Sequence, residues 1–121
     1  MDKKILVVED EKSLARLLKF CIRGRVDDVR VCHDGEEAIR LIGKNKFDLI
    51  FLDIMMPKRN GFDVATYIRK INKEVPVIGI TAMTDVNLEY DAVTSGFTTL
   101  VKKPFGTDEI NNILNVYLKE V

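Results

Sequence analysis

The chain has 121 residues, enough for one domain with a real core and too few for two. Apolar residues make up 46% and charged residues 31%, an ordinary soluble globular balance, and 19 Lys plus Arg offset 19 Asp plus Glu, so no net basic field drives generic binding to nucleic acid or an anionic membrane. No apolar stretch approaches the ~20 residues of a membrane-spanning helix, and only Ile5 to Val8 separate Lys4 from Glu9, so no signal peptide is visible and a cytoplasmic location is expected.

The first strand-like run, Lys4–Val8, ends at Glu9-Asp10. Leu14, Leu17, Leu18, Cys21 and Ile22 then repeat at i, i+3, i+4, i+7 and i+8, one apolar helical stripe. Val29–Cys32 reads as the second strand, and Asp34 stands three residues before Glu37, a helix start ahead of Ala38, Leu41 and Ile42. The third strand, Asp48–Leu52, runs into Asp53, followed by Ile54-Met55-Met56-Pro57 and Asn60-Gly61. Phe62, Ala65, Ile68 and Ile71 carry the third helix. Val75–Ile80 is the fourth strand and stops at Thr81. The fourth helix, about residues 85–95, has only a thin stripe of Leu88 and Ala92, and Gly96 supplies its stop. Thr98–Val101 is the fifth strand and leads to Lys103. Thr107, followed by Asp108 and Glu109, starts the last helix, with Ile110, Ile113, Leu114, Tyr117 and Leu118 as its stripe. Cys21 and Cys32 lack metal-ligand spacing and read as small buried thiols, and His33, the only histidine, reads as a loop residue.

Strand–helix alternation with short connections implies a single α/β domain, doubly wound, with helices on both faces of a parallel sheet. Mostly continuous Ile, Leu, Val and Phe runs agree with strands covered on both sides. All carboxyl ends of such a sheet lie along one edge, where ligands bind at the point of strand reversal. That edge collects Glu9, Asp10, Asp53, Thr81 and Lys103. Singly, each has a plain structural reading: a helix cap, a turn residue, a strand-end hydroxyl, a solvated charge. Together, at four strand ends on one edge, they call for a common cause. Two carboxylates ~4 Å apart repel by about 4 kcal/mol at an effective dielectric of 20, so converging acids raise one another's pKa or recruit a cation. Hard oxygen ligands suit Mg²⁺. With a lysine and a hydroxyl beside them, the set suits phosphoryl transfer, which needs mainly positioning and charge stabilisation.

Ile5-Leu6-Val7-Val8-Glu9-Asp10-Glu11, Leu52-Asp53-Ile54-Met55-Met56-Pro57 with Asn60-Gly61, Thr81-Ala82 and Lys103-Pro104-Phe105 closely resemble the receiver domain of two-component response regulators. The resemblance covers essentially the whole chain. It implies a flavodoxin-like fold over residues 1–121, a five-stranded parallel sheet in order 2-1-3-4-5 with five flanking helices, and no output domain in this chain, which is then either a stand-alone receiver or a piece of a longer regulator. It further implies that Asp53 is the phosphoacceptor for a sensor histidine kinase or a histidine phosphotransfer protein. Asp10, Asp53 and the backbone carbonyl of Met55 would hold Mg²⁺ (or Mn²⁺), with Glu9 acting through a metal-bound water. Lys103, chosen over Lys102 because Pro104 follows it, would pair with a phosphoryl oxygen. Thr81 and the Ala82 N–H would bind the others. The signal would pass to a downstream effector or a second copy through the face of the fourth helix, fifth strand and fifth helix, without direct nucleic-acid or membrane contact. Such a domain assists its own phosphorylation and dephosphorylation but turns over no external substrate.

Two departures from the family pattern stand out. Leu100 occupies the position, three before the lysine, where the fifth strand usually carries an aromatic switch residue, and the nearest aromatic is Phe97. Either Leu100 just fills the same space, or the aromatic switch is absent and the output face changes by a smaller helix shift. Met55 and Met83, two residues after Asp53 and Thr81, stand where the family tunes dephosphorylation and cannot strongly polarise water, so unremarkable or slow self-dephosphorylation is expected. Rival readings fare worse. An aspartyl-phosphate hydrolase would want a second acid at position 55, and a flavin-binding protein would not place Glu9-Asp10-Glu11 where a phosphate must sit. A phosphorylation-independent interaction domain leaves the filled site unexplained.

Overall fold

The computed structural model describes residues 3–56, 60–82 and 86–118, and the backbone alone of Val86. The predicted turn residue Pro57, the residue Met83 and the expected helix-start Asp85 lie outside these residues. Strands β1 (Lys4–Val8), β2 (Asp28–Cys32), β3 (Leu49–Asp53), β4 (Val77–Thr81) and β5 (Thr99–Lys102) alternate with helices α1 (Lys12–Ile22), α2 (Gly35–Lys44), α3 (Gly61–Ile71), α4 (Val86–Ser95) and α5 (Thr107–Tyr117). The strands form one sheet in the order β2-β1-β3-β4-β5, every pair parallel. This is the doubly wound architecture expected from the sequence.

Strand periodicity divides the core. Leu6, Val8, Ile50, Leu52 and Val77 point to one side, where Ala38 and Ile42 of α2, Val64, Ala65 and Ile68 of α3 and Ala92 of α4 cover them. Ile5, Val7, Leu49, Phe51, Ile78 and Ile80 point to the other, under Leu18 and Ile22 of α1 and Ile110 and Leu114 of α5. Every residue of β3 and β4 is buried, which is why those segments read as unbroken apolar runs. Fully burying a side chain such as Phe51 contributes about 1.5–3 kcal/mol, so the strands that carry the site rest on a stiff floor.

Helix starts follow local chemistry. Asp34 Oδ1 accepts from the Glu37 N–H at 2.9 Å and Asn60 Oδ1 from the Asp63 N–H at 3.0 Å, satisfying donors that the helices leave open. The last helix starts at Thr107, as the sequence led us to expect. Its cap is Gly106, whose N–H donates to Glu109 Oε1 at 2.9 Å, while Thr107 is already helical. Leu17 and Ile71, counted in the apolar stripes, end at the exposed margins of their helices, and Cys21 is only half-buried. No helix among the described residues is long and apolar enough to cross a membrane.

Candidate functional site

The residues that follow the apolar runs are placed by the same period of two. Glu9 continues β1 with the parity of Val7, its N–H donating to the Cys32 carbonyl at 3.0 Å, and Asp53 ends β3 with the parity of Phe51. Both carboxylates therefore rise on the α1/α5 side of neighbouring strands. Glu9 is 0% and Asp53 3% exposed, so neither can rely on bulk water to stabilise its charge. Asp10, next along the loop, is exposed. One carboxylate oxygen from each of Glu9, Asp10 and Asp53 lies within 4.8 Å of the others.

Lys103 enters from β5. Its N–H donates to the Thr81 carbonyl at 2.7 Å, which aligns the end of β5 with that of β4. Its Nζ sits 3.3 Å from Asp53 Oδ2 and 3.5 Å from Glu9 Oε1. Lys102 is exposed, and it is Lys103 whose ammonium group reaches the carboxylates. Asp53 Oδ1 accepts the Met55 N–H at 3.0 Å, and Glu9 Oε2 accepts the Glu11 N–H at 3.1 Å. Glu9 Oε1 is buried without a hydrogen-bond partner among the described residues.

One lysine does not balance this set. Burial, then a hydrogen bond to Asp53 and the Asp53 charge, push the Glu9 carboxyl up to about 8, although the Glu11 N–H and Lys103 work in the other direction. Burial by itself would lower the Lys103 pKa, but the charges of Asp53 and Glu9 outweigh it and raise it. The site holds more negative charge than it can comfortably keep.

Thr81 is buried at the end of β4, one residue beyond the Ile80 that pairs with Asp53. Ala82 follows it at the surface, and Met55 is exposed beside the site. The structure thus brings Glu9, Asp10, Asp53 and Lys103 together and sets Thr81, Ala82 and Met55 around them. Two supporting residues were not legible as such. His33 Nδ1 donates to the Glu9 carbonyl at 2.9 Å, and the His33 N–H donates to Glu37 Oε1 at 3.3 Å, so this histidine of the β2–α2 loop also braces the acidic strand end. Gly61 donates its N–H to the Ile54 carbonyl at 2.7 Å, and a Cβ there would fall 2.6 Å from Ile54 Cα and 2.7 Å from the Asp53 carbonyl oxygen. Its lack of a side chain lets α3 begin against the backbone that carries Asp53.

Residues 5–115 match the response regulator receiver domain family. The chain belongs to this family. Curated receiver-containing relatives include the transcriptional regulatory protein RprY of Bacteroides fragilis, 33% identical over all of this chain and 52% of that protein. The alkaline phosphatase synthesis transcriptional regulatory protein PhoP of Bacillus subtilis is 36% identical over 98% of this chain and 50% of its own length. The chain thus spans about half the length of the curated relatives it matches. Among solved structures, the receiver domain of the Francisella response regulator 1452 superposes with a TM-score of 0.87 at 33% identity, covering 96% of each chain.

As a receiver domain, the chain is a component of two-component signalling and not a member of a typical enzyme family; response regulators take phosphoryl groups from histidine kinases. Receiver domains bind Mg²⁺ in an acidic pocket, and the residues here fit one. Three carboxylate oxygens converge, Glu9 Oε1 lacks a hydrogen bond, and all the donors are hard oxygens.

Proposed function

We propose that Asp53 is the phosphoacceptor of this receiver domain, working in the cytoplasm with a sensor histidine kinase or a histidine phosphotransfer protein as donor. The observation that carries this reading is the buried Asp53 carboxylate paired with Lys103 at 3.3 Å beside a Glu9 carboxyl whose Oε1 has no hydrogen bond. An Asp53 carboxylate oxygen attacks the phosphorus of a phosphohistidine. The new P–O bond forms as the P–N bond breaks, and the electron pair leaves with the imidazole nitrogen. Asp10, Asp53 and the Met55 carbonyl, with Glu9 beside them, would hold Mg²⁺ or Mn²⁺, which would supply charge neutralisation for the phosphoryl oxygens.

The chain's own residues do the positioning. The Met55 N–H fixes the Asp53 rotamer through Oδ1, and Lys103, already poised over Oδ2, follows the developing negative charge. The Thr81 hydroxyl and the Ala82 N–H bind the remaining phosphoryl oxygens. Hydrolysis of the acyl phosphate by water returns the carboxylate, and the exposed Met55 offers no polar group to speed it. The phosphorylated form favours one arrangement of the Thr81 segment and α4, which alters the α4–β5–α5 face for an effector or a second copy. Direct binding to nucleic acid or membrane is not part of this reading, since the net charge is zero.

Incubation with acetyl phosphate and Mg²⁺, followed by intact-mass measurement, tests the assignment. The wild-type chain gains one phosphoryl group, and Asp53→Asn does not. A wild-type chain that stays unmodified would favour the phosphorylation-independent interaction domain.

A further inference from the structure

The guanidinium of Arg69, in the last turn of α3, donates four hydrogen bonds to described residues. Its Nε donates to the Gly96 carbonyl at 2.8 Å, Nη1 to the carbonyls of Val75 at 2.7 Å and Asn72 at 3.2 Å, and Nη2 to Thr98 Oγ1 at 3.2 Å. Among the described residues no carboxylate forms an ion pair with it. Its partners are instead the carbonyl at the C-cap of α3, the carbonyl just past α4, and the approaches to β4 and β5. A cation placed at two helix C-termini is favoured by their exposed carbonyls. The fork geometry of arginine is what allows four partners at once.

Gly96 is shaped to this clasp. Its φ of +118° is in the range that side chains rarely adopt, and a Cβ there would lie 2.5 Å from Arg69 Cγ. The Gly96 and Phe97 N–H groups return to the Ala92 carbonyl at 3.2 and 3.0 Å, and Thr66 Oγ1 reaches the Ser95 carbonyl at 3.5 Å. The last turn of α4 is therefore tied to α3 and to the sheet by polar contacts. Toward Thr81 the helix is held differently. Asn87, Glu89, Tyr90 and Asp91 are exposed, and among the described residues half-buried Leu88 and buried Ala92 make the apolar packing against the core.

We propose that Arg69 is a positioning residue that makes the C-terminal end of α4 a fixed pivot. When the Asp53 site is occupied, α4 then moves as a lever about Gly96, with its largest displacement at the end nearer Thr81. The pivot rests on the reading that phosphorylation rearranges the Thr81 segment and α4. It adds where the motion stops, and which residue stops it.

Amide NMR shifts and hydrogen exchange, with and without Mg²⁺ and BeF₃⁻ as a phosphoryl mimic, test it. In the wild type, BeF₃⁻ shifts the amides of residues 87–91 and leaves exchange at Gly96, Phe97 and Thr98 within about twofold. In Arg69→Met, which keeps the stem and removes the donors, exchange at Gly96 and Phe97 rises roughly tenfold to a hundredfold, as expected for loss of hydrogen bonds from a charged donor. The BeF₃⁻ response in that variant spreads through residues 92–98. Arg69→Lys, which keeps the charge without the fork, falls between the two and serves if the methionine variant does not fold. Wild-type changes at 96–98 as large as those at 87–91 overturn the pivot alone. So does a folded Arg69→Met with the wild-type profile. BeF₃⁻ binding with no response anywhere in α4 overturns the switch reading and the pivot together.

Discussion

Replacing Gly61 by alanine tests how closely α3 must approach the strand end that carries Asp53. The added Cβ would meet Ile54 Cα at 2.6 Å, the Asp53 carbonyl oxygen at 2.7 Å and the Ile54 carbonyl oxygen at 3.1 Å. Optimal carbon contacts lie near 3.5–4.0 Å, so relief needs a shift of about 1 Å, and every clashing atom is backbone that no rotamer can move. Overpacking of this kind costs about 1–3 kcal/mol. Helix propensity by itself would favour alanine over glycine by up to about 1 kcal/mol, so the sign of the effect separates the two accounts. At roughly 4 °C per kcal/mol for a chain of this size, the thermal midpoint falls by about 4–12 °C. Acetyl phosphate labelling, followed by intact mass, slows by tenfold or more, because a displacement near 1 Å at a reacting group can cost about a hundredfold. Gly24→Ala, with nothing within 4 Å of the added Cβ, is the control and keeps the wild-type rate. A Gly61→Ala chain that melts at or above the wild-type temperature and labels at the wild-type rate refutes the steric argument.

Three further outcomes follow from the site. In the metal-free protein Glu9 is raised from 4.5 to about 8, so the folded chain holds a proton that the unfolded chain has released. That contribution to stability is fully present below 4.5 and is lost as the pH rises to about 8, with a slope of at most about 1.4 kcal/mol per pH unit; urea melts across the window show the slope, and Glu9→Gln or saturating Mg²⁺ flattens it. Lys103 lies 3.3 Å from the Asp53 carboxylate, a gross attraction of about 5 kcal/mol at an effective dielectric of 20, and 3.5 Å from Glu9. Lys103→Met removes the cation that competes for those oxygens, so calorimetry finds Mg²⁺ bound at least tenfold more tightly and BeF₃⁻ more weakly. Leu100 packs where a Gly79 Cβ would come within 2.5 Å of its Cδ2 and 2.9 Å of Phe97 Cδ1. Its methyl NMR signals report an unchanged rotamer on BeF₃⁻ binding, whereas a large rotamer change coupled to Thr81 contradicts the absence of a side-chain switch at this position.

The sheet was legible because its strands are buried on both faces, so their apolar runs stop where the polar residues of the site begin. Asp53 and Glu9 stood out for that reason, and their shared side of the sheet follows from counting in twos along β1 and β3. Helix margins were harder to read. Leu17 and Ile71 fit the helical period yet lie at the rim, because a stripe wider than the contact leaves its outer residues in water. The α5 cap, Gly106, went unread because the Glu109 carboxylate reaches back to its N–H, an interaction that a single small residue does not announce. His33, Gly61 and Arg69 act on backbone atoms brought close only by the fold. Nothing in the local sequence marks a carbonyl that lies 24 or 27 residues away. The thin stripe of Leu88 and Ala92 did forecast how lightly α4 is packed.

The central claim is that Asp53 carries the phosphoryl group, and trapping the acyl phosphate tests it most directly. The chain is labelled with acetyl phosphate and Mg²⁺ and reduced with borohydride, which converts an aspartyl phosphate to homoserine, and the peptide spanning residue 53 is read by fragment mass. The account predicts homoserine at position 53, dependent on Mg²⁺ and absent from Asp53→Asn. Homoserine at Asp10 or another aspartate, or a wild-type chain with none at all, would contradict it.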